Sequence, residues 1–413
     1  ASWLIIDSTY IRSIHLAFAL LIVYLNYPLF KKPHFGTDYF SATDRIPLLD
    51  VAVAILAAVA ALYIALDYDG MITRYGFPIL RDLIMGSILV VLLLEAARRV
   101  IGPALPIIAI LFCAYAFFGP YMPDLIAFKG VSLNRFIGQM TMSTEGIYGI
   151  PLDVSATIVF LFVLFGAMLD KAGAGQYFIH LALSLLGGFK GGPAKAAVMG
   201  SGFTGLVSGS SIANIVTTGT FTIPLMKKVG YPPTKAAAVE VAASTDGQLA
   251  PPIMGAAAFI IAEYVNVPYV EVIKAAAVPA FASYAALFYI THIEASKLGL
   301  EGIPRGELPP FLKTLLSGTH YLVPILMLLY ELIVVRHSPE LAAFNAIWVM
   351  AIIMLFQHAV KAYLNKTPLA PAFQQGIVDI FSALASGARN MVSVALATAA
   401  AGIIVGVVAL GLG

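Results

Sequence analysis

Apolar runs long enough to cross a bilayer recur along this chain, separated by short charged or proline-bearing connectors. At roughly 20 residues per crossing helix, residues 1–130 predict four ordinary spans: His15–Phe30, Ile46–Leu66, Leu83–Glu95 with its flanks, and Ile101–Phe118. Lys31-Lys32-Pro33, Asp67 to Arg81, and Arg98-Arg99 connect them. Between Leu133 and Tyr148 the pattern changes. Leu133, Phe136, Ile137, Met140, Ile147 and Tyr148 share one helical face, with Arg135, Gln139 and Glu145 elsewhere, which predicts an amphipathic helix lying along the membrane surface. A similar stretch returns at Leu308–Leu316, where Phe311, Leu312, Leu315 and Leu316 are apolar. Each precedes a block of spans, beginning near Val154 and near Tyr321. The organisation expected is a four-span module (1–130), a first block (131–318) and the start of a second (319–413).

The first block holds segments that are too short. After Val154–Leu169 and Phe178–Leu186, the runs Gly192–Val207 and Ile212–Met226 would each make about 23 Å of helix, against a hydrocarbon core of about 30 Å. Ser208-Gly209-Ser210-Ser211 separates them, which predicts a re-entrant hairpin with its tip in mid-membrane. Lys235–Thr245 and Met254–Val265 repeat the pattern, interrupted by Asp246-Gly247-Gln248-Leu249-Ala250-Pro251-Pro252. Two prolines remove backbone donors and push the preceding residue out of helical geometry, so the helix must unwind there. Irregular backbone at membrane depth is tolerated where it lines a cavity or binds something. Helix N-termini facing such a gap favour an anion, while free carbonyls and hydroxyls suit a small cation. Broken helices of this kind point to the binding site of a secondary transporter.

Plainer readings exist for both features, namely a small-residue helix-packing patch at Ser208–Ser211 and a structural kink at Gly247–Pro252. The accompanying Asn214, Thr217, Thr218 and Thr220 are more polar than packing requires. Three carboxylates fall here, and intramembrane carboxylates are functional candidates. Asp246 abuts the break, Glu240 either pairs with Lys235 or faces a cavity, and Glu263 suits an interfacial anchor near a helix end. Glu95 and Arg99, spaced i, i+4, read as a helix-end ion pair at the interface.

Composition settles the membrane class. The 413 residues are 60% hydrophobic and 11% charged, with a mean hydropathy of +0.91; soluble domains carry about 25% charged residues. A net charge of +2 gives no reason to expect a nucleic-acid partner. The single cysteine, Cys113, sits in an apolar run and reads as a small core or lipid-facing residue. No cleaved signal peptide is expected, since the run Ile14–Phe30 is too long and lacks a cleavage site. Both ends, Ala1 and Leu412-Gly413, look cut. Lysine and arginine are too evenly spread to orient the spans. His15, His34, His180, His292, His320, His337 and His358 are scattered, without a His-Glu-x-x-His pair. No Gly-x-Ser-x-Gly elbow frames the serines and no Gly-x-x-x-x-Gly-Lys-Ser/Thr loop is present. An enzyme, a metal cofactor and ATP-driven chemistry all lack support in the sequence.

Several motifs, in order, resemble the tripartite ATP-independent periplasmic (TRAP) transporters. They are Gly191-Gly192-Pro193-Ala194-Lys195, Ser208-Gly209-Ser210-Ser211-Ile212-Ala213-Asn214, Thr222-Ile223-Pro224-Leu225-Met226-Lys227, Gly230-Tyr231, Ala243-Ser244-Thr245-Asp246-Gly247-Gln248, and Pro251-Pro252-Ile253-Met254-Gly255. Leu94-Glu95-Ala96-Ala97-Arg98-Arg99 and the stretch Phe160 to Gly166 also match. Together they are similar to fused permeases, in which small and large subunits form one chain and work with a TAXI-type periplasmic binding protein. The resemblance implies an all-α polytopic protein of a bacterial inner membrane, with an inverted-repeat elevator domain. It implies sodium- or proton-coupled symport of small organic anions such as carboxylates. Ser208, Gly209, Ser210, Ser211 and Asn214 would form the hairpin tip, while Gly247, Pro251 and Pro252 would lie at the unwound helix. Ser210, Gly247 and Pro252 would be possible sodium ligands. The surface helices would be arms bracing a stationary scaffold.

Two departures stand out. The family pattern reads Ser-Thr-Gly-Gly where this chain has Ser244-Thr245-Asp246-Gly247, so Asp246 is expected to affect ion coupling. At the end, Gly406-Val407-Val408 echoes Gly205-Leu206-Val207, and the family pattern would continue past Gly413 into a second hairpin and unwound helix. The rival classes are an intramembrane enzyme and a stand-alone anion permease that needs no binding protein.

Overall fold

A computed structural model describes residues 7–29, 46–74 and 76–412. Lys31-Lys32-Pro33, His34 and the end of the first expected span at Phe30 lie outside the described residues. Among those described, the chain is all helix and turn. Seven helices are long and apolar enough to cross a membrane, and Arg305–Ser317 with Thr319–Val335, bent by 54°, forms a further pair that could act as one span. The protein is therefore an all-α polytopic membrane protein. It divides into two units, 1–157 with 389–413, and 158–388.

The first unit holds α1 (Ser8–Asn26), α2 (Leu48–Leu66), α3 (Tyr68–Thr73), α4 (Leu80–Val100), α5 (Ala104–Phe118), α6 (Leu133–Thr141) and α7 (Ile150–Val154). Its core runs through Leu16, Leu20, Leu89 and Leu93, with Cys113 partly buried against it. Ala54, Ala57 and Ala61 of α2 are fully buried, and these small side chains let α1 and α2 approach closely. Asp7 caps α1, its carboxylate accepting from the Thr9 N–H at 2.8 Å. That bond holds the Asp7 carboxyl below the usual range, so its stabilisation is complete at neutral pH and fades as pH falls through the folded-state value. Asp7→Ala is expected to cost up to about 1 kcal/mol, discounted for an exposed site. Thermal unfolding at pH 7 and pH 3 checks this, the difference between the two proteins shrinking at the lower pH.

The helix expected over Leu133–Tyr148 needs correction. It stops at Thr141, where the chain reverses so that Ile147 N–H donates back to the Met140 carbonyl at 2.9 Å. Gly146 permits this turn, since a Cβ there would lie 2.5 Å from Met140 Cα. Phe136, Ile137, Met140, Ile147 and Tyr148 are all buried in the unit's core, whereas Leu133 is 52% exposed. The apolar face thus packs inward.

The Glu95/Arg99 pair also differs from a bland interfacial contact. Arg99 is only 6% exposed and bonds Glu95 at 2.9 Å and Asp50 at 2.8 Å, with Asp50 2% exposed. It also donates to the Tyr27 carbonyl at 2.8 Å and stacks over the Tyr24 ring at 4.7 Å. Arg12 similarly bridges Asp153 at 2.7 Å and the Tyr148 carbonyl at 2.6 Å.

The second unit contains α8 (Phe160–Ala172), α9 (Ala174–Leu186), α10 (Gly192–Ser208), α11 (Ser211–Lys228), α12 (Pro233–Gly247), α13 (Ala256–Val265), α14 (Tyr269–Lys297), α15 (Phe311–Ser317), α16 (Thr319–Leu329) and α17 (Pro339–Leu364). The long α18 (Leu369–Leu412) contributes its part up to Ala388. Helix α10 is the centre, packed against α8, α9, α11, α12 and α14. Its residues Ala194, Ala196, Ala197 and Val198 are fully buried, which small side chains make possible. Helix α15 leaves Leu312 and Leu316 65% and 67% exposed, an uncovered apolar face suited to lipid. π-helical turns follow α7 (Ser155–Val159) and α16 (Tyr330–Val335). The segment echoing the hairpin approach, Gly406-Val407-Val408, belongs to α18.

Candidate functional site

The hairpin and the break form in the second unit as the short apolar segments predict, and they meet. Helix α10 ends at Ser208, and Gly209 takes left-handed backbone (φ 61°), a conformation open to glycine without strain. Ser210 then caps α11, its hydroxyl accepting from the Ala213 N–H at 3.3 Å, and half-buried Ser211 opens the helix. A two-residue turn therefore joins the hairpin arms.

Helix α12 continues through Asp246 and Gly247, so the break begins two residues later than the expected Asp246, at Gln248, and lasts to Gly255. Pro251 and Pro252 lie within it. The Tyr269 hydroxyl sits 2.9 Å from the Pro252 carbonyl and 2.7 Å from that of Ile253, pinning the irregular strand of chain. Tyr269 is itself held by a ring stack on Phe259 at 4.2 Å. Tyr269→Phe removes that donor and leaves the packing, so it is expected to loosen the break. Faster backbone hydrogen exchange over residues 248–255, with global stability lowered by about 1 kcal/mol, checks this.

Contacts between the two features are direct. Gln248 Nε2 donates to the Gly209 carbonyl at 3.3 Å. A Cβ on Gly209 would stand 3.1 Å from the Met254 carbonyl, and one on Gly255 3.5 Å from the Gly209 carbonyl. The N-termini of α11 and α13 thereby flank the same gap, where their partial positive charge favours an anion. One step deeper, α10 and α12 cross at two glycines. A Cβ on Gly247 would lie 2.7 Å from Gly205 Cα, and one on Gly205 would lie 3.2 Å from Asn214 Nδ2.

Asn214 is 1% exposed and its Nδ2 donates to the Ser201 carbonyl, Ser201 Oγ and Ser244 Oγ at 2.9, 3.0 and 3.0 Å. Its Oδ1 is buried and, among the described residues, has no hydrogen-bond partner. Thus Gly209 is set beside Gln248, Met254 and Gly255, and Asn214 beside Gly205 and Gly247. Asp246 is half-buried at the end of α12, and among the described residues its carboxylate accepts no hydrogen bond.

The other carboxylates part ways. Glu263 is exposed near the end of α13. Glu240 does not pair with Lys235, which instead bridges Glu294. It is fully buried among hydroxyls of three helices. Among the described residues, Thr217 and Thr220 bond their own helix's carbonyls, while Thr218 turns into this cluster. Ser201, Thr222, Gln248 and Tyr269 were not singled out as site residues by the sequence. The i, i+4 spacing of Thr218 with Thr222 and of Glu240 with Ser244, within apolar helices, was the available signal. Among the described residues no three His, Cys, Asp or Glu side chains converge as a metal site.

Fold and site together define a polytopic membrane protein with a broken-helix gap, the architecture of secondary transporters. The family described as "Tripartite ATP-independent periplasmic transporter, DctM component" matches residues 88–411. The chain belongs to that family, which places it among inner-membrane transport proteins and not among enzymes. It is similar to an uncharacterized protein y4mL of Sinorhizobium fredii, 26% identical over 60% of each chain. It is also similar to an isethionate TRAP transporter permease protein DctMQ of Oleidesulfovibrio alaskensis, 26% identical over 61% of this chain and 39% of that one. A C4-dicarboxylate TRAP transporter large permease protein DctM of Pseudomonas aeruginosa is 28% identical over 47% of this chain and 45% of its own. The chain spans 60% or less of the length of these relatives.

Proposed function

We propose that this chain is the permease of a binding-protein-dependent secondary transporter, taking up small organic anions in symport with sodium or protons. The observation that carries the reading is the contact between the hairpin turn at Gly209 and the break at Gln248–Gly255, with two helix N-termini facing one gap. A substrate carboxylate sits there, against the amides that open α11 and α13. The names of the relatives, isethionate and C4-dicarboxylate permeases, support a small anionic substrate. Hydroxyls and carbonyls at Gly209–Ser211, Gly247, Pro251 and Pro252 supply oxygen for the cation, with Ser210, Gly247 and Pro252 as sodium ligands in the sodium-coupled case; the Ser208 side chain lies outside the described residues. The helices carrying the gap move in an elevator-type cycle.

We read the four N-terminal spans as a small-subunit module fused ahead of the large one (1–130, then 131–318 and 319–413); the family match begins at residue 88, inside α4, so only α1 to α3 precede it. A TAXI-type periplasmic protein delivers the substrate. The test is uptake of labelled dicarboxylates and glutamate into proteoliposomes holding the complete gene product. Uptake is expected only when the cognate binding protein is added; uptake by the permease alone supports the stand-alone class instead.

Asp246 stands where the family pattern has glycine, one residue before the α10–α12 crossing. A carboxylate there adds negative charge beside the cation oxygens. Asp246→Gly is expected to change the sodium or pH dependence of uptake while leaving the protein folded. An unchanged ion dependence and pH profile would remove Asp246 from the coupling mechanism.

A further inference from the structure

Glu240 lies on α12 about two turns before the break and is 0% exposed. Its Oε1 accepts from Ser201 at 2.9 Å and Ser244 at 3.0 Å, with Thr218 in closer contact, and its Oε2 accepts from Thr222 at 2.6 Å. The four hydroxyls come from α10, α11 and α12. Among the described residues no cation reaches it, although an unpaired buried carboxylate is strongly disfavoured in a low-dielectric interior. Hydroxyls differ from ammonium or guanidinium partners in one respect: each can donate or accept by rotating. This cage therefore serves the carboxylate and the neutral acid alike, which a salt bridge does not.

The charged and titratable groups on the surrounding helices are engaged elsewhere or stand apart. Lys195 of α10 bonds His292 of α14 at 3.2 Å, and Lys235 of α12 bridges Glu294 of α14. Glu271 and Lys274 of α14 pair with each other, and Tyr284 of α14 lies 3.1 Å from the Ala243 carbonyl. Tyr289 of α14 is 65% exposed, and Lys297 is exposed at the end of that helix. Lys227 and Lys228 are exposed at the end of α11. Asp246 is the remaining carboxylate on α12, six positions along.

A second observation ties the cage to the gap. Asn214 Nδ2 donates to the same Ser201 and Ser244 hydroxyls that hold Glu240. It also sits against the Gly205–Gly247 crossing, and among the described residues its buried Oδ1 has no donor to accept from. The hydroxyl orientations set by Glu240 are thus read by a residue placed directly behind the hairpin tip.

We propose that Glu240 binds and releases a proton during each transport cycle. Ser201 and Ser244, with Asn214, relay its charge state to the break. The proton adds to the carboxylate from water on the entry side, forming the neutral acid, and leaves to water on the other side. No electron moves and no co-reactant is required. The inference rests on the transporter reading above and narrows its coupling ion to the proton.

Two readouts test it on the complete gene product. Infrared difference spectra between acidic and alkaline buffer are expected to show the carbonyl stretch of a buried carboxylic acid, lost in Glu240→Gln. Thr222→Val, which removes the hydrogen bond to Oε2, should move that stretch to higher frequency and so assign it to this site even if one variant folds poorly. In proteoliposomes with the binding protein, an inward proton gradient is expected to accelerate wild-type uptake. Glu240→Gln, fixed as a mimic of the neutral acid, should lose that acceleration but still exchange internal for external substrate.

A Glu240→Gln protein that keeps both the band and the gradient response overturns the proposal. So does wild-type uptake driven by sodium alone and indifferent to pH. Wild-type protein that takes up nothing under any gradient overturns the transporter reading instead, and the infrared band then decides alone whether Glu240 binds a proton.

Discussion

Arg99→Met is expected to destabilise the first unit by about 3–5 kcal/mol, the cost of leaving a buried carboxylate without its cation. The carboxylate concerned is Asp50, 2% exposed, which among the described residues otherwise accepts a hydrogen bond from the Leu29 N–H at 3.4 Å. Glu95 suffers less, because it keeps Arg98, bonded at 2.7 and 2.9 Å, and is 27% exposed. The loss is therefore asymmetric. Asp50→Asn should cost less than Arg99→Met, since Arg99 retains Glu95, the Tyr27 carbonyl and the Tyr24 ring. Combining Arg99→Met with Asp50→Leu should recover part of the loss, because no charge is then stranded. Unfolding in detergent, followed by intrinsic fluorescence, measures all three. Equal effects of the two single changes, with simple additivity in the double, would show that the ion pair is not coupled as the geometry requires.

The second large effect is at the α10–α12 crossing. Glycine to alanine inside a helix ordinarily gains up to about 1 kcal/mol from propensity. At Gly247 the sign should reverse. The new Cβ would stand 2.7 Å from Gly205 Cα and 3.1 Å from Gly205 C, and both are backbone atoms that cannot rotate aside. Overpacking of this kind costs about 1–3 kcal/mol. Moving the helices apart would also disturb Asn214 and the gap beyond it, so Gly247→Ala should abolish uptake even where folding survives. Gly205→Ala should behave alike, its Cβ falling 2.9 Å from Gly247 Cα. Gly138→Ala is the control: within α6, among the described residues nothing beyond its chain neighbours and its own helix backbone lies within 4 Å of its Cβ position, and it should be neutral or stabilising. Thermal unfolding and uptake of the three variants distinguish a close helix approach from a general intolerance of alanine.

The hairpin and the break were legible because each is a local event. A run too short to cross the membrane, followed by Ser-Gly-Ser-Ser or Pro-Pro, carries its own explanation in length and backbone chemistry. The shift of the break from Asp246 to Gln248 is small, and it reflects helical geometry persisting until the chain nears the prolines. What could not be read was anything assembled across helices. Glu240 and Lys235 sit i, i+5 along α12, yet Lys235 turns to Glu294 and Glu240 to hydroxyls on α10 and α11. Arg99 and Asp50 are 49 positions apart, so only the local Glu95 contact was visible. The helix at Leu133 misled for the opposite reason. Its periodicity is real, but Gly146 folds the chain back on Met140, and the apolar face meets protein.

The central claim is that ion-coupled transport passes through the gap where Gly209 meets Gln248. The most direct measurement is uptake into proteoliposomes with the cognate binding protein, sodium and pH gradients being imposed separately, for the wild type and for Gln248→Ala. Gln248→Ala removes the 3.3 Å bond between break and hairpin at a half-buried position. The account predicts wild-type uptake that requires a cation gradient, and a folded Gln248→Ala protein that has lost most of it. Gln248→Ala transporting at the wild-type rate, or a folded wild type that accumulates nothing under either gradient, would contradict it.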